Sequence, residues 1–293
     1  MNPKVSVRIV TYNHERFIAQ ALDSALAQKI NFPYEIVIGE DNSSDNTRKI
    51  VQDYQRRHPE IIRSFLNDRN IGARANTHNM RQECRGEYIA FLDGDDYWTA
   101  EHKLQKQADF LDQHPECTIC FHNAQMVFDN GRKAQVYHKE PLKTIMEAED
   151  ILPSNIMPSC SMMFRNNIFK TIPHEFAHVP FGDWPIQICL IKKGKACYID
   201  EIMGAHRFHS GGMWTEGGKE DPEVKIRQIQ AFLLFYQAAD VYLEHKYKDL
   251  IARLITVKKK ELRSVQIEPL KQRIRDLFPS LYKTFRTLKG TAR

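Results

Sequence analysis

Three times before residue 100 the chain runs from a short β-rich stretch into a cluster of polar residues. VSVRIV leads into Thr11-Tyr12-Asn13, YEIVIG into Glu40-Asp41-Asn42-Ser43-Ser44-Asp45, and YIAFL into Asp93-Gly94-Asp95-Asp96. Helical patterns separate these units. Phe17, Ile18, Ala21, Leu22, Ala25 and Leu26 recur at helical spacing between Arg16 and Gln28. Further helices are expected over Asn46 to His58 and Ala73 to Cys84, with a strand near Ile62 to Leu66 between them. Strand, turn and helix alternating at this spacing predict an α/β fold: a mostly parallel central sheet flanked by helices. In such a sheet the loops at the strands' carboxyl ends line one crevice, and all three polar clusters fall at those ends.

Beyond Trp98 the pattern loosens. A helix is expected from Ala100 to His114, a strand at Cys117, and an irregular polar region to about Asp150. Ser159 to Phe164 reads as a strand. A Gly-Asp-Trp turn then opens a helix ending near Lys193, followed by a short strand from Ala196 to Ile199 and a Gly-rich loop from His206 to Gly218. From Pro222 the chain reads as helical, with Pro269 and Pro279 as breakers. The expected organisation is a domain over residues 1–220, with a nucleotide-binding half at 1–100 and an acceptor and catalytic half at 101–220. A basic helical extension occupies 221–293.

The net charge of +5 is unevenly spread. From Lys246 to Arg293 there are 14 Lys and Arg against 4 Asp and Glu, a balance of +10, which leaves 28 basic against 33 acidic residues elsewhere. Leu250, Ile251, Leu254 and Ile255 recur at helical spacing among these cations. That combination suits a helix on an anionic membrane surface, or else a solvated face or a homodimer contact. Nothing else in the chain points to nucleic acid. No run approaches the ~18–20 apolar residues that span a bilayer, and no signal-peptide pattern opens the chain, so a cytoplasmic protein is expected, at most peripheral on the inner face of the plasma membrane. Cys84, Cys117, Cys120, Cys160, Cys189 and Cys197 are scattered and read as buried free thiols. Cys117 and Cys120 form a CxxC, but within a strand they point to opposite faces.

The acidic turn after YIAFL carries the clearest chemistry. Neighbouring carboxylates repel and raise one another's pKa, and a divalent cation with a taste for oxygen ligands, Mn2+ or Mg2+, would balance them. A solvated turn capping the next helix is the plain alternative. Asp183, in FGDWPIQ, stands where a helix N-cap is expected, with Pro185 in the first turn. His206 and His209 form an HxxH ahead of Gly211 and Gly212, a weak signal alone. Tyr97 and Trp98 could stack on a sugar or pack beneath the turn.

Taken in order, VSVRIVTYNHERFIAQALDSALAQ, IVIGEDNSSDNT, RNIGARANTHNM, GEYIAFLDGDDYW, FGDWPIQ and HRFHSGGMWT resemble the family 2 glycosyltransferases, which have the GT-A fold, over roughly residues 3 to 215. The resemblance implies a metal-dependent, inverting transfer of a sugar from a nucleotide-sugar donor to a hydroxyl of a glycan or lipid-linked acceptor, in bacterial cell-surface polysaccharide synthesis. A UDP-sugar is favoured over a dTDP-sugar. It implies that Thr11 and Tyr12 wall the base pocket, that Asn13 and Glu15 support that loop, and that Asp41 meets the base. Many relatives have Asp where this chain has Glu40. Asn70 and Arg74 would position the donor, Asp93 with Gly94 would meet the ribose, and Asp95 and His209 would hold the metal. Asp183 would be the catalytic base, and Trp214 would clamp the donor. A non-catalytic sugar- or partner-binding relative remains an alternative reading. A sugar-phosphate nucleotidyltransferase fits less well, since TYNHERF stands where that class has a Gly-rich, Arg-containing loop. A dehalogenase-type phosphatase also fits poorly, because its DxD opens the chain.

Overall fold

A computed structural model of the chain describes residues 2–169, 171–212 and 221–277. The chain forms two compact units, one of Met1–Ala177 with Phe181–Trp214, the other of His178–Pro180 with Thr215–Arg293.

The first unit opens with β1 (Val5–Thr11), α1 (Ile18–Leu26), β2 (Tyr34–Glu40), α2 (Thr47–Arg57), β3 (Ile62–Leu66), α3 (Ala73–Glu83) and β4 (Tyr88–Asp93). It continues with β5 (Tyr97–Trp98), α4 (Lys103–Gln113), β6 (Cys117–Phe128), β7 (Gln135–Val136), β8 (Ile145–Met146) and α5 (Ala148–Ile151). Then come β9 (Met163–Arg165), α6 (Trp184–Ile191) and β10 (Lys195–Phe208). The strands form one sheet in the order β3-β2-β1-β4-β9-β6-β10-β5, with β7 beside β6 and β8 beside β10. β3, β2, β1 and β4 are mutually parallel, as the alternating sequence requires. Beyond them the sheet is mixed: β9 runs antiparallel to both β4 and β6, whereas β6 and β10 are parallel.

Every residue of β1 is buried, because helices cover both faces of a parallel sheet. α1 offers that sheet the stripe Ile18, Ala21, Leu22 and Ala25. All residues of α6 are buried, as expected of a helix apolar on every side. Trp98 is buried and donates its indole N–H to Cys160 O at 2.8 Å, so it packs beneath the acidic turn. Tyr97 is half-buried under the Arg207 guanidinium.

Three expectations need correction. The strand expected at Ala196 to Ile199 extends to Phe208, so His206, Arg207 and Phe208 belong to β10 rather than to a loop. Register shifts around Ile202 leave Asp200, Glu201 and Ile202 exposed, and this bulge hides the alternation in the sequence. Of the strand expected at Ser159 to Phe164, residues Ser159–Ser161 form a 3-10 turn, with the Ser161 hydroxyl donating to Pro158 O at 2.7 Å. Finally, Cys117 is not a free thiol: it is bonded to Cys197, 80 positions away, while Cys84, Cys120, Cys160 and Cys189 are free and buried. The cysteines therefore give no support to a reducing compartment.

The second unit contains α7 (Pro222–Tyr242) and α8 (Lys248–Leu277). Asp221 caps α7 by accepting from Glu223 N at 2.8 Å, with Pro222 at its start. Its buried residues are Ile229, Ala231, Phe235, Tyr236, Ala238 and Ala239. On α8, Arg253, Lys259, Lys260 and Arg263 are exposed, as is Val257. Among the described residues no helix is long and apolar enough to cross a membrane.

Candidate active site

The sheet order sets β1 between β2 and β4, so the loops leaving their carboxyl ends emerge side by side. Thr11 pairs with Glu40 and Val10 with Asp93. The backbone extends the ladder, with Asp41 N donating to Thr11 O at 3.0 Å and Gly94 N to Val10 O at 2.9 Å. Gly94 is required for space, since a Cβ there would lie 2.6 Å from Thr11 Oγ1 and 2.9 Å from His14 Nδ1.

The first two loops are laced together. Asn13, held at φ 54°, donates its backbone N–H to Ser43 Oγ at 2.9 Å and accepts from Ser44 N at 2.9 Å through Oδ1. His14 N donates to Thr47 Oγ1 at 2.8 Å, and the Glu15 carboxylate accepts from Asn46 N at 3.0 Å and Asn46 Nδ2 at 2.8 Å. Asn13 and Glu15 thus tie the first loop to the second. Tyr12 is 43% exposed, leaving its ring open to a stacking partner.

Glu40 is fully buried and accepts from Arg48 Nε and, at 2.6 Å, from Ser43 N. Its place is that of a bracket within the protein, a position where the longer Glu side chain reaches Arg48. Asp41 accepts from Asn67 Nδ2 at 2.9 Å, Ile71 N at 2.9 Å and Gly72 N at 2.8 Å. A carboxylate has about four acceptor sites, so roughly one remains for a ligand. Gly72 presents its N–H at φ 87°, a conformation that favours glycine, and Asn70 Oδ1 accepts the same N–H at 3.0 Å. Arg74 donates to Ala177 O at 2.9 Å and Phe176 O at 2.7 Å, tying the start of α3 to that segment.

The carboxylates of the acidic turn face three different partners. Asp93 accepts from the buried Arg8, whose guanidinium stacks on Phe91, at 2.9 Å, and from Ser159 Oγ at 2.7 Å. Asp96 is buried, paired with His206 Nδ1 at 3.0 Å and accepting from Arg207 N at 2.8 Å. Asp95 meets His209 Nε2 at 3.1 Å and His14 Nε2 at 3.7 Å through the same oxygen. Burial works to raise the Asp95 carboxyl, but the His209 hydrogen bond and the charges of His14, His206 and His209 hold it down to about 2. One ligand atom from each of His14, Asp95 and His209 lies within 4.8 Å of the others. Neighbouring ligands of one ion at bond lengths of about 2.1 Å stand roughly 3 Å apart, so this cluster fits a divalent cation after small side-chain shifts. Of the residues expected to bind metal, Asp95 and His209 come together. His14, next to Asn13 on the first loop, joins them in this cluster.

His206 serves differently from His209. Burial opposes its charge, yet the Asp96 carboxylate prevails and lifts the imidazole to about 9. A histidine raised in this way contributes stability that is fully present below its ordinary pKa near 6.5 and is lost as pH rises through about 9. His206→Ala leaves Asp96 buried beside one backbone N–H and should destabilise the fold by about 3 kcal/mol. It should also abolish the fall in stability expected of the native chain between neutral pH and pH 9–10, as read by denaturant unfolding at both pH values.

Asp183 caps α6 by accepting from Trp184 N at 2.8 Å, with Pro185 in the first turn. Its other oxygen accepts from Asn155 Nδ2 at 2.9 Å, and Gln187 Nε2 donates to Asn155 Oδ1 at 2.9 Å, which fixes the amide's orientation. Burial raises the Asp183 carboxyl, and the Asp93 charge adds to this. No motif in the sequence singles out Asn155. Trp214, the expected clamp, lies outside the described residues.

Residues 6–172 match the model for glycosyl transferase family 2. An uncharacterized protein of Mycobacterium tuberculosis is 34% identical over 211 residues, which cover 72% of this chain and 60% of that protein. The chain thus spans about 60% of the length of that relative. Among solved structures, residues 1–349 of TarS from S. aureus, in complex with UDP-GlcNAc, superpose with a TM-score of 0.60 at 20% identity, covering 96% of this chain and 77% of that one. The mannosyltransferase PcManGT of Pyrobaculum calidifontis, in complex with GDP-Man and Mn2+, gives 0.58 at 15% identity, covering 99% and 85%.

Proposed function

The chain belongs to glycosyl transferase family 2 and has its GT-A fold, and from that membership we propose that it transfers one sugar from a UDP-sugar, or a dTDP-sugar, to a hydroxyl of a glycan or lipid-linked acceptor. The convergence of Tyr12, Asp41, Asp93, Asp95 and His209 at the carboxyl ends of the strands carries this reading. In it, residues 1–220 are the transferase domain. Tyr12 stacks on the base, and the remaining acceptor site of Asp41 takes an imide N–H, which uracil and thymine have and cytosine lacks. Asp93 and Gly94 approach the ribose.

Asp95 and His209 hold Mn2+ or Mg2+. When bound, the ion neutralises the charge that develops on the departing nucleoside diphosphate. Asp183 accepts the proton of the acceptor hydroxyl as that oxygen bonds to the anomeric carbon and the bond to the diphosphate breaks. A single displacement inverts the configuration. The cap to Trp184 and the Asn155 amide aim the carboxylate, and burial strengthens it as a base.

The exposed cations of α8 support an anionic membrane surface as the place where a lipid-linked acceptor is met, in cell-surface polysaccharide synthesis. The base assignment is tested by thermal shift with UDP and CDP in the presence of Mn2+. UDP should raise Tm and CDP should raise it much less, and Asp41→Asn should erase the difference. Equal shifts from the two nucleotides in the native chain would remove Asp41 from the base pocket.

A further inference from the structure

Three observations at the end of β1 concern His14, a residue that the donor-binding and catalytic roles above leave unused. First, its Nδ1 lies 3.3 Å from Thr11 Oγ1, while its Nε2 faces Asp95. A hydrogen bond on one imidazole nitrogen that orients the other is the usual arrangement around a metal-bound histidine. Second, the backbone on both sides is pinned. His14 N donates to Thr47 Oγ1 at 2.8 Å, and His14 O accepts from Phe17 N and Ile18 N, both at 2.9 Å, as α1 begins. Gly94 permits the acidic turn to close against this ring. Third, the His14 and His209 rings meet edge to face at 6.0 Å, with Phe17 packed 4.7 Å from His209, and both Nε2 atoms address the same Asp95 oxygen.

We propose that His14 is a direct protein ligand of the divalent cation, completing with Asp95 and His209 a two-imidazole, one-carboxylate set that selects Mn2+ over Mg2+. The inference rests on the reading of Asp95 and His209 as metal ligands and extends it in two ways. It adds a ligand from the first loop, and it decides between the two ions. Imidazole suits first-row transition ions, whereas Mg2+ favours oxygen donors and water. Two nitrogens in a set of three therefore disfavour Mg2+. A ligand on the Tyr12 loop also joins the ion mechanically to the segment that meets the base, so metal and nucleotide should each tighten the other's binding.

The test is Mn2+ binding to the full chain without donor, followed by isothermal titration and by pulsed electron paramagnetic resonance, which detects nitrogen bound directly to Mn2+. The native chain should show two coordinated nitrogens and should bind Mn2+ at least about tenfold more tightly than Mg2+. His14→Ala and the bulkier His14→Gln should each show one nitrogen and lose roughly tenfold or more in Mn2+ affinity, since even outer partners of a metal ligand are worth about that much. Retention of both nitrogens and of native affinity in the two variants overturns the assignment of His14 alone. A native chain that binds Mn2+ and Mg2+ equally, through a single nitrogen, overturns it as well. A native chain that binds neither ion overturns the Asp95 and His209 reading and the inference with it. Far-ultraviolet circular dichroism of each variant confirms that the loss, where it occurs, is not a loss of fold.

Discussion

Asp183→Asn should lower kcat by about two to four orders of magnitude while leaving donor affinity within about threefold. The substitution is selective because Asn is also a good N-cap. It can accept from Trp184 N as Asp183 does, so α6 keeps its start, while its new NH2 meets the Asn155 Nδ2 donor that Gln187 holds in place, which costs stability but leaves the cap intact. What it loses is the capacity to take a proton. The pH dependence supplies an independent readout. Burial raises the native carboxyl above its ordinary value of about 3.8, and the active form is the carboxylate. Activity should therefore disappear as pH falls through a value above the ordinary 3.8, and be retained above it. Asn155→Ala removes a donor that stabilises the charged form, so it should move this acid limb further upward. A variant that merely loosened the fold would lower the rate without moving the limb. Unchanged turnover in Asp183→Asn would place the base elsewhere.

Asp95→Ala should reduce turnover by about 10²- to 10³-fold, the cost of losing charge stabilisation at a leaving group, and should weaken Mn2+ binding in parallel. The chain should nevertheless stay folded. The buried ion pair of the turn belongs to Asp96 and His206, and the Asp95 carbonyl, which survives the substitution, still accepts from Arg207 Nε at 2.8 Å. The neighbouring carboxylates thus separate by experiment: changes at Asp96 or His206 should be read in stability, and changes at Asp95 in metal and rate. Comparable Mn2+ binding and turnover in Asp95→Ala and the native chain would remove the acidic turn from the chemistry.

The parallel half of the sheet was legible because its signals are local. An apolar run buried on both faces, a polar cluster at its end and an amphipathic helix after it suffice to place β1, β2 and β4 and the loops they carry. The site's longer-range wiring left no such trace. Cys117 and Cys197 stand 80 positions apart and are joined only because β6 and β10 lie side by side. Only the first part of β10 is legible, because its bulge interrupts the alternation at Asp200 to Ile202 with exposed residues. The HxxH spacing alone does not separate His206 from His209, which only the family resemblance singles out; one lies on the strand and faces Asp96 while the other, just past its end, faces Asp95. Glu40 and Arg74 show the converse limit. Their polar side chains follow polar loop motifs, and the internal partners that hold them, Arg48, Ser43 and the carbonyls of Phe176 and Ala177, come from segments the local pattern does not point to.

These assignments meet in one experiment. The purified full chain is incubated with a panel of UDP- and dTDP-sugars and a glycan acceptor mixture, and nucleoside diphosphate release is measured with Mn2+, with chelator, and with Mn2+ restored. Release with one or a few donors, lost on chelation and recovered with Mn2+, and a product of inverted anomeric configuration by nuclear magnetic resonance, is the predicted result. Release unaffected by chelation, or donor binding in Mn2+ with no release from any donor, would contradict a metal-dependent transferase; the second outcome would favour a non-catalytic sugar-binding protein.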